Sequence, residues 1–304
     1  MKYIIDENNK NKRIDKYLVS KSDKYSRTNI QKFINEGKIL VNGNIVKPNY
    51  LLQVEDDIKI LEDDLEERIE IVPNNLNVDI IYQDEHIAVI NKPVDMIVHP
   101  SNRNESDTLV NSLKYQLDSL SSLGEDFRPG IVHRLDKDTS GIMIIAKSNE
   151  SYIKLIEQFK QKKVRRFYMA VVRGYLNEKE GIINLPIGRD TRNRTKMAVT
   201  ETNSKEAITL YKVIYENNNY SFLDIELLTG RMHQIRVHMS HFNHPVVGDD
   251  KYSDNHEKVN YQLLHAYKIN FNHPVTGVNM TFETEIPKRI NNFLKGVLHY
   301  EYKS

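Results

Sequence analysis

IVHRLDKDTSGIMIIAK, residues 131–147, is the stretch from which the rest of the chain is read. Ile131 and Val132 run into a polar segment, His133-Arg134-Leu135-Asp136-Lys137-Asp138-Thr139-Ser140. Gly141 then opens an apolar run over 142–146. The pattern predicts strand, polar loop, strand. Glycine permits a backbone turn that a side chain obstructs, and five apolar residues bounded by turn formers suit a strand buried on both faces. A carboxylate on a short loop between two such strands is held rigidly, as a reacting group must be. Asp, Thr and Ser also cap turns with no chemistry attached, and Asp138, two residues after Asp136, reads as such a turn residue.

The 304 residues suit one large or two modest domains. Apolar residues make up 39%, below average, yet a chain this long still buries a sizeable core. Cysteine is absent, which excludes a disulfide framework, a thiolate metal site and a thiol nucleophile. No apolar run reaches membrane-spanning length, and MKYIIDENNK lacks the basic start and apolar core of a signal peptide, so a cytoplasmic protein with no membrane partner is expected. Lys and Arg number 43 against 42 Asp and Glu, but unevenly. Residues 1–60 hold 12 basic and 8 acidic residues, 147–173 hold 8 and 2, and 61–79 hold seven acids and one Arg. Positive patches on a neutral chain suit steering toward a polyanion; each patch taken singly also reads as solvated surface.

After an N-terminal arm, 1–11, the segment 12–60 reads as a small unit. Ile14, Tyr17 and Leu18 recur at helical spacing, as do Ile30, Phe33 and Ile34, with Ser26 as N-cap and Gly37 at the C-terminal end. A short strand 39–41, an Asn42-Gly43 turn, a second strand 45–47 and an apolar stretch to Ile60 follow. The acidic segment 61–79 is expected to be a solvated linker. From residue 80 onward two short strands end at Pro93, and Leu109, Leu113 and Leu117 mark a helix. A helix over 149–162 is expected to turn Ile153, Ile156 and Phe159 inward. Tyr168, on an alternating strand from Phe167 to Arg173, reads as a core or a site tyrosine. Residues 186–199 carry Arg189, Arg192, Arg194 and Lys196 in a loop-like run that either clamps phosphates or is disordered. Residues 207–215 and 220–228 predict an antiparallel pair, and 233–239 begins a helix. His233, His238, His241 and His244 invite a zinc reading, disfavoured because zinc sites usually carry Cys or carboxylate ligands as well.

HRLDKDTSG resembles the signature of the RluA/RluD-type pseudouridine synthases. NKPVDMIVHP (91–100), RRFYMAVVRG (165–174), LTGRMHQIRVHMSHFNHPVVGD (228–249) and LHAYKINFNHPVTG (264–277) resemble that family's other blocks, in its order. Together these blocks cover the chain from about residue 80 to its end, which makes the resemblance specific. Asp95 stands where many members have Gly, as in the RluD-like branch. RIDKYL, SRTNIQKFINEGKILVNG and VEDDIKI resemble the RNA-binding module of ribosomal protein four.

The resemblance implies an α+β protein: a small αL-type RNA-binding domain over 12–60, then a catalytic domain over 80–304 built on a long mixed, mostly antiparallel sheet with a cleft across its middle. It implies a catalytic set of Asp136, Tyr168 and Arg236. Asp136 is the reacting carboxylate, Tyr168 stacks on the target base and handles its proton, and Arg236 pairs with the carboxylate. Arg134 is the residue that fills the space vacated by an extruded base. His133 and Thr139 in the same loop, Arg231, and the basic run Arg189, Arg192 and Arg194 are assigned to substrate. Arg13, Lys16, Arg27, Lys32 and Lys38 are the RNA-facing candidates of the small domain. Breaking the uracil N1–C1′ bond and joining C5 of the same uracil to C1′ involves no redox change, so no cofactor and no metal are expected. One carboxylate can act as nucleophile at C1′ or as base at C2′, and the sequence leaves both open. The expected partner is RNA, above all large-subunit ribosomal RNA, met by a monomer. The competing class is a non-catalytic ribosomal RNA-binding or assembly factor on the same fold; a metal hydrolase is a third.

Overall fold

The structure, a computed structural model, describes residues 2–21, 27–61, 71–100, 105–124, 127–254, 257 and 259–302, apart from the side chains of 28 and 29. The chain divides into two compact units, Met1–Glu70 with Gly124–Asp126, and Ile71–Leu123 with Phe127–Ser304.

In the small unit, helices α1 (Ile14–Lys21) and α2 (Arg27–Asn35) accompany strands β1 (Lys2–Ile4), β2 (Ile39–Val41), β3 (Asn44–Ile45) and β4 (Asp57–Ile60). The strands form an antiparallel sheet in the order β1-β4-β2-β3. Ile14, Leu18, Ile30, Ile34, Leu52 and Ile58 meet in one core, as the helical spacing predicts. The expected arm is not an arm: residues 2–4 are β1, paired with β4, and Ile5 is buried. The Ser26 cap falls outside the described residues.

Asp15 is a fully buried carboxylate that accepts hydrogen bonds from Arg13, Arg27 and Gln31 at 2.6–3.0 Å. Burial alone would raise its pKa, and these donors outweigh it and hold the group well below the usual range. Arg13 and Arg27 therefore serve first to neutralise Asp15, a structural duty that the RNA-facing expectation did not contain. Lys32 and Lys38 share Glu36, at 3.5 and 3.3 Å, whereas Lys16 is exposed.

The large unit contains helices α3 (Leu109–Gln116), α4 (Asn149–Lys160), α5 (Gln234–His241) and α6 (Lys288–Phe293). Its strands are β5 (Asp79–Gln83), β6 (Ile87–Lys92), β7 (Ser140–Ala146), β8 (Arg165–Arg173), β9 (Glu180–Asn184), β10 (Ile187–Arg189), β11 (Met197–Val199), β12 (Ile208–Glu216), β13 (Tyr220–Leu227), β14 (Leu264–Asn272) and β15 (Asn279–Glu283). Nine of them make one sheet, β5-β6-β7-β14-β8-β13-β12-β9 with β15 beside β14. Only the β7–β14 contact is parallel, so the sheet is mixed and mostly antiparallel. No helix among the described residues is long and apolar enough to cross a membrane.

Four expectations need correction here. Residues 71–79 are not a solvated linker. Ile71 and Val78 are buried, and Lys114, Asn111 and Gln116 of α3 bind the backbone of Ile71, Val72 and Val78; the acidic residues 62–70 lie outside the described residues. Ile131 and Val132 form no strand, only a single bridge from Ile131 to Ile145. On α4, Ile153 is 59% and Ile156 39% exposed, while Leu155 is fully buried with Phe159 and Tyr152 packed beside it. Leu155 and Phe159 are a helical i, i+4 pair, whereas 153 and 156 sit on the flank that faces water. The run 186–199 is a hairpin, β10 paired with β11, whose turn is capped by Asp190 accepting from the backbone of Arg192 and Asn193.

Candidate active site

Strand β7 is buried along all seven residues, between β6 and β14. Gly141 lies at the parallel contact with φ +124°, where a Cβ would come within 2.2 Å of Ala266 O. Only glycine lets the start of β7, directly after the segment 133–139, seat this closely on β14. Leu135 anchors that loop by burial, and Thr139 N donates to Asp136 O at 3.2 Å to close its turn. The fully buried Lys92, at the end of β6, donates from Nζ to the carbonyls of Pro93, Met96 and Lys137 at 2.7–3.0 Å. Burial pulls the Lys92 ammonium down to about 7, against the nearby Asp136 and Asp138, which favour its charge. Lys92 ties β6 to the loop that carries Asp136. Asp95, with φ 60°, occupies the left-handed region that Gly would enter freely; its carboxylate pairs with Lys137 at 2.7 Å.

Arg236 on α5 is 4% exposed and holds two carboxylates at once. Its Nη1 donates to Asp136 Oδ2 at 2.9 Å, while Nε and Nη2 donate to Asp249 at 2.6 and 2.8 Å. The fully buried Asp249 also accepts from the backbone N–H of Lys251 and Tyr252. The guanidinium lies 5.2 Å from the centre of the Tyr252 ring. Burial would depress the charge of Arg236, but the two carboxylates outweigh it and raise its pKa. The result is a rigid lever: Asp249 fixes Arg236, and Arg236 fixes one oxygen of Asp136. The other oxygen, Oδ1, accepts no hydrogen bond among the described residues, with His233 Nε2 4.0 Å away.

Asp136, Tyr168 and Arg236 line one pocket of 540 Å³ together with His133, Arg134, Thr139 and Arg231. Tyr168 of β8 is 6% exposed; burial raises its phenol pKa, Arg166 opposes this and Asp136 adds to it. Arg134 is exposed at the pocket, with Nη1 3.4 Å from His99 Nε2. Arg231 donates from Nε to Glu206 O at 2.7 Å.

Two of the substrate candidates that line the pocket also carry structural duties. His133 Nε2 accepts from Ile144 N at 2.9 Å and its ring lies 4.9 Å from Phe159, so its nitrogen is engaged in holding β7. Burial, with Arg166 nearby, pushes its imidazole down to about 3. The hydroxyl of the buried Thr139 accepts from Gln262 Nε2, which makes it part of the turn. Arg189, Arg192 and Arg194 stand on the hairpin and do not line the pocket; Arg189 is bonded to Arg194 O. The histidines of the suspected cluster face different partners: His233 meets Tyr252 OH, His238 meets Thr209 and Leu185 O, and His244 meets Arg173 O. Sequence reasoning missed Asp249, Tyr252, Lys92 and Arg166. Asp249 closes the HFNHPVVGD end of a block already singled out, and Lys92 sits in NKP; nothing local reveals their distant partners.

The burial of His133, and of His265, which is likewise pushed to about 3, has a pH consequence. Above about 6.5 neither state binds these protons; below it the unfolded chain takes them up and the folded chain does not, so stability falls as pH falls toward 3. Each histidine removes about 2 kcal/mol at pH 5. His133→Gln retains an acceptor for Ile144 N but does not titrate. Urea unfolding at pH 7 and pH 5 is expected to show a loss about 2 kcal/mol smaller in this variant than in the wild type. Equal losses would contradict the assignment.

A mixed sheet crossed by a pocket that offers a carboxylate oxygen with no hydrogen bond among the described residues, a tyrosine and a basic wall suits an enzyme acting on a polyanion. A model of RNA pseudouridylate synthase matches residues 86–241, and an S4 domain model matches 12–58. The chain is 38% identical over 292 residues to a Bacillus subtilis protein named as an uncharacterized RNA pseudouridine synthase, YlyB, covering 96% of each. It is 37% identical to ribosomal large subunit pseudouridine synthase D of Neisseria meningitidis, covering 93% of this chain and 78% of that one. The fold is similar to that of human RNA pseudouridylate synthase domain containing 1, with a TM-score of 0.58 and 26% identity over 74% of this chain and 87% of that one. The chain belongs to the RNA pseudouridylate synthase family, with an S4 domain at its N-terminus. It is an isomerase of uridine in RNA.

Proposed function

We propose that Asp136 is the reacting carboxylate of this enzyme and that its substrate is large-subunit ribosomal RNA. The single observation that carries the first part is the Arg236–Asp136 contact at 2.9 Å, which leaves Oδ1 unengaged at the wall of the pocket that Tyr168 also lines. In this reading a uridine leaves its stack, at a cost of a few kcal/mol, and Arg134 occupies the space it vacates. The base lies against Tyr168, Oδ1 meets the sugar at C1′ or C2′, and Arg236 keeps the carboxylate aligned while the freed uracil turns and rejoins through C5. The partly apolar lining of the pocket limits the water that competes for C1′ once the nucleotide fills it.

The substrate assignment is supported by the names of the relatives and by the S4 match. The small unit, from β1 to β4, supplies affinity for folded RNA through Lys16 and its neighbours, and the acidic segment after it joins that unit to the catalytic one. A single chain carries Asp136, Tyr168 and Arg236, which supports reading the enzyme as a monomer, acting in the cytoplasm. The test is a pseudouridine map of ribosomal RNA with and without the gene. Loss of pseudouridine at specific large-subunit positions is expected. An unchanged map with a defect in subunit assembly would favour the non-catalytic RNA-binding reading.

A further inference from the structure

Arg166 is a basic group of the pocket that pairs with no carboxylate among the described residues, and its Nε is shut off from solvent, whereas Arg134 and Lys160, likewise without an ion pair, are exposed. It stands two residues before Tyr168 on β8, so both side chains share a face of the strand, about 7 Å apart along it. No carboxylate among the described residues lies within ion-pair distance of it. Its Nε is sealed from solvent without a partner, and Nη2 reaches Leu227 O only at 3.4 Å. The guanidinium lies 5.5 Å from the centre of the Phe159 ring and against Gly230, where a Cβ would come within 2.6 Å of Nη1. Glycine at 230 therefore leaves room for the cation to reach the pocket wall. Of its neighbours in the lining, Lys162 pairs with Glu206 at 2.9 Å, and Arg231 donates from Nε to the Glu206 carbonyl. A buried cation without a counter-ion is costly, and replacing it with an apolar side chain of similar size is often neutral or stabilising. Its retention in a substrate pocket suggests an anion that arrives with the substrate.

We propose that Arg166 binds a non-bridging oxygen of one of the two phosphodiesters that flank the target uridine, fixing the nucleotide's backbone while the base rests on Tyr168. The ligand class is an RNA phosphodiester, and Arg is suited to it because its planar fork meets two phosphate oxygens. The inference rests on the reading of the pocket as the uridine site. Phosphate contacts position without reading sequence, so Arg166 acts alike on every substrate RNA. Because the contact forms in the ground state and persists through the reaction, its loss raises KM and leaves kcat nearly unchanged.

The test uses the full chain and a synthetic ribosomal RNA fragment with one modifiable uridine, made unmodified or with a neutral methylphosphonate at the 5′ or the 3′ linkage of that uridine. Wild-type kcat/KM is expected to fall about tenfold with one of the two neutral linkages. Arg166→Met is expected to fall about tenfold on unmodified RNA, to lose nothing further with that methylphosphonate, and to show a log–log salt slope smaller by about one. Arg166→Lys should recover part of the loss, and thermal unfolding of Arg166→Met should be no lower than that of the wild type. Two independent losses that multiply, or indifference of the wild type to both neutral linkages, overturn the inference; so does a shifted alkaline limb of the pH–rate profile in Arg166→Met without coupling to either linkage. A wild-type protein that forms no pseudouridine on unmodified RNA overturns the pocket reading itself.

Discussion

Asp136→Asn is expected to lower pseudouridine formation by on the order of 10⁴-fold or more while the protein folds and binds RNA as before. The amide keeps an oxygen for Arg236 Nη1, now 2.9 Å from Oδ2, so the loop geometry survives. What disappears is the second anionic oxygen, the one that no described residue engages. An amide neither attacks C1′ nor removes the proton at C2′, so both mechanistic variants predict the same loss. Retained RNA binding, read by filter binding at fixed salt, separates a chemical defect from a folding one.

Asp249→Ala is expected to be nearly as damaging for a different reason. Asp249 never faces the pocket; it holds Nε and Nη2 of Arg236 and the backbone of Lys251 and Tyr252. Its removal leaves a guanidinium that is 4% exposed with Asp136 and, at 3.6 Å, the exposed Asp250 for compensation, a class of change that costs about 3–5 kcal/mol. Arg236 then turns toward whatever acceptor remains, and Asp136 loses its alignment. A fall in kcat of roughly a hundredfold, with a lower unfolding midpoint in urea, is the expected pair of results. A stable, fully active variant would show that Arg236 needs no second partner. Asp249→Asn, which keeps one acceptor oxygen, should fall between the two.

How much of this was legible in the sequence depends on the distance over which each signal acts. The 142–146 run announces a buried strand because burial on both faces needs nothing but apolar residues in sequence, and β7 is buried throughout. Asp136, Tyr168 and Arg236 were named together through the family resemblance, and the structure places all three in one pocket. The helix 149–162 was legible, yet its inward face was not: two isoleucines were counted as core, although Leu155 fills that role. Ile131 and Val132 look like a strand but lack a continuous partner. Asp249 and Lys92 were opaque because their meaning lies in partners 13 and 45 residues away. Arg13 and Arg27 illustrate the reverse error, basic residues read as RNA contacts that answer a buried Asp15 first. Charge in a sequence is ambiguous until its counter-ion is located.

The most direct test of the reading is tritium release from RNA containing 5-tritiated uridine, measured in parallel for wild type, Asp136→Asn and Asp138→Asn. Asp138 is a half-buried carboxylate two residues on, whose pKa burial raises against the pull of Lys137, and it does not line the pocket. Release by wild type and Asp138→Asn with none from Asp136→Asn is the predicted result. Full release by Asp136→Asn would contradict it.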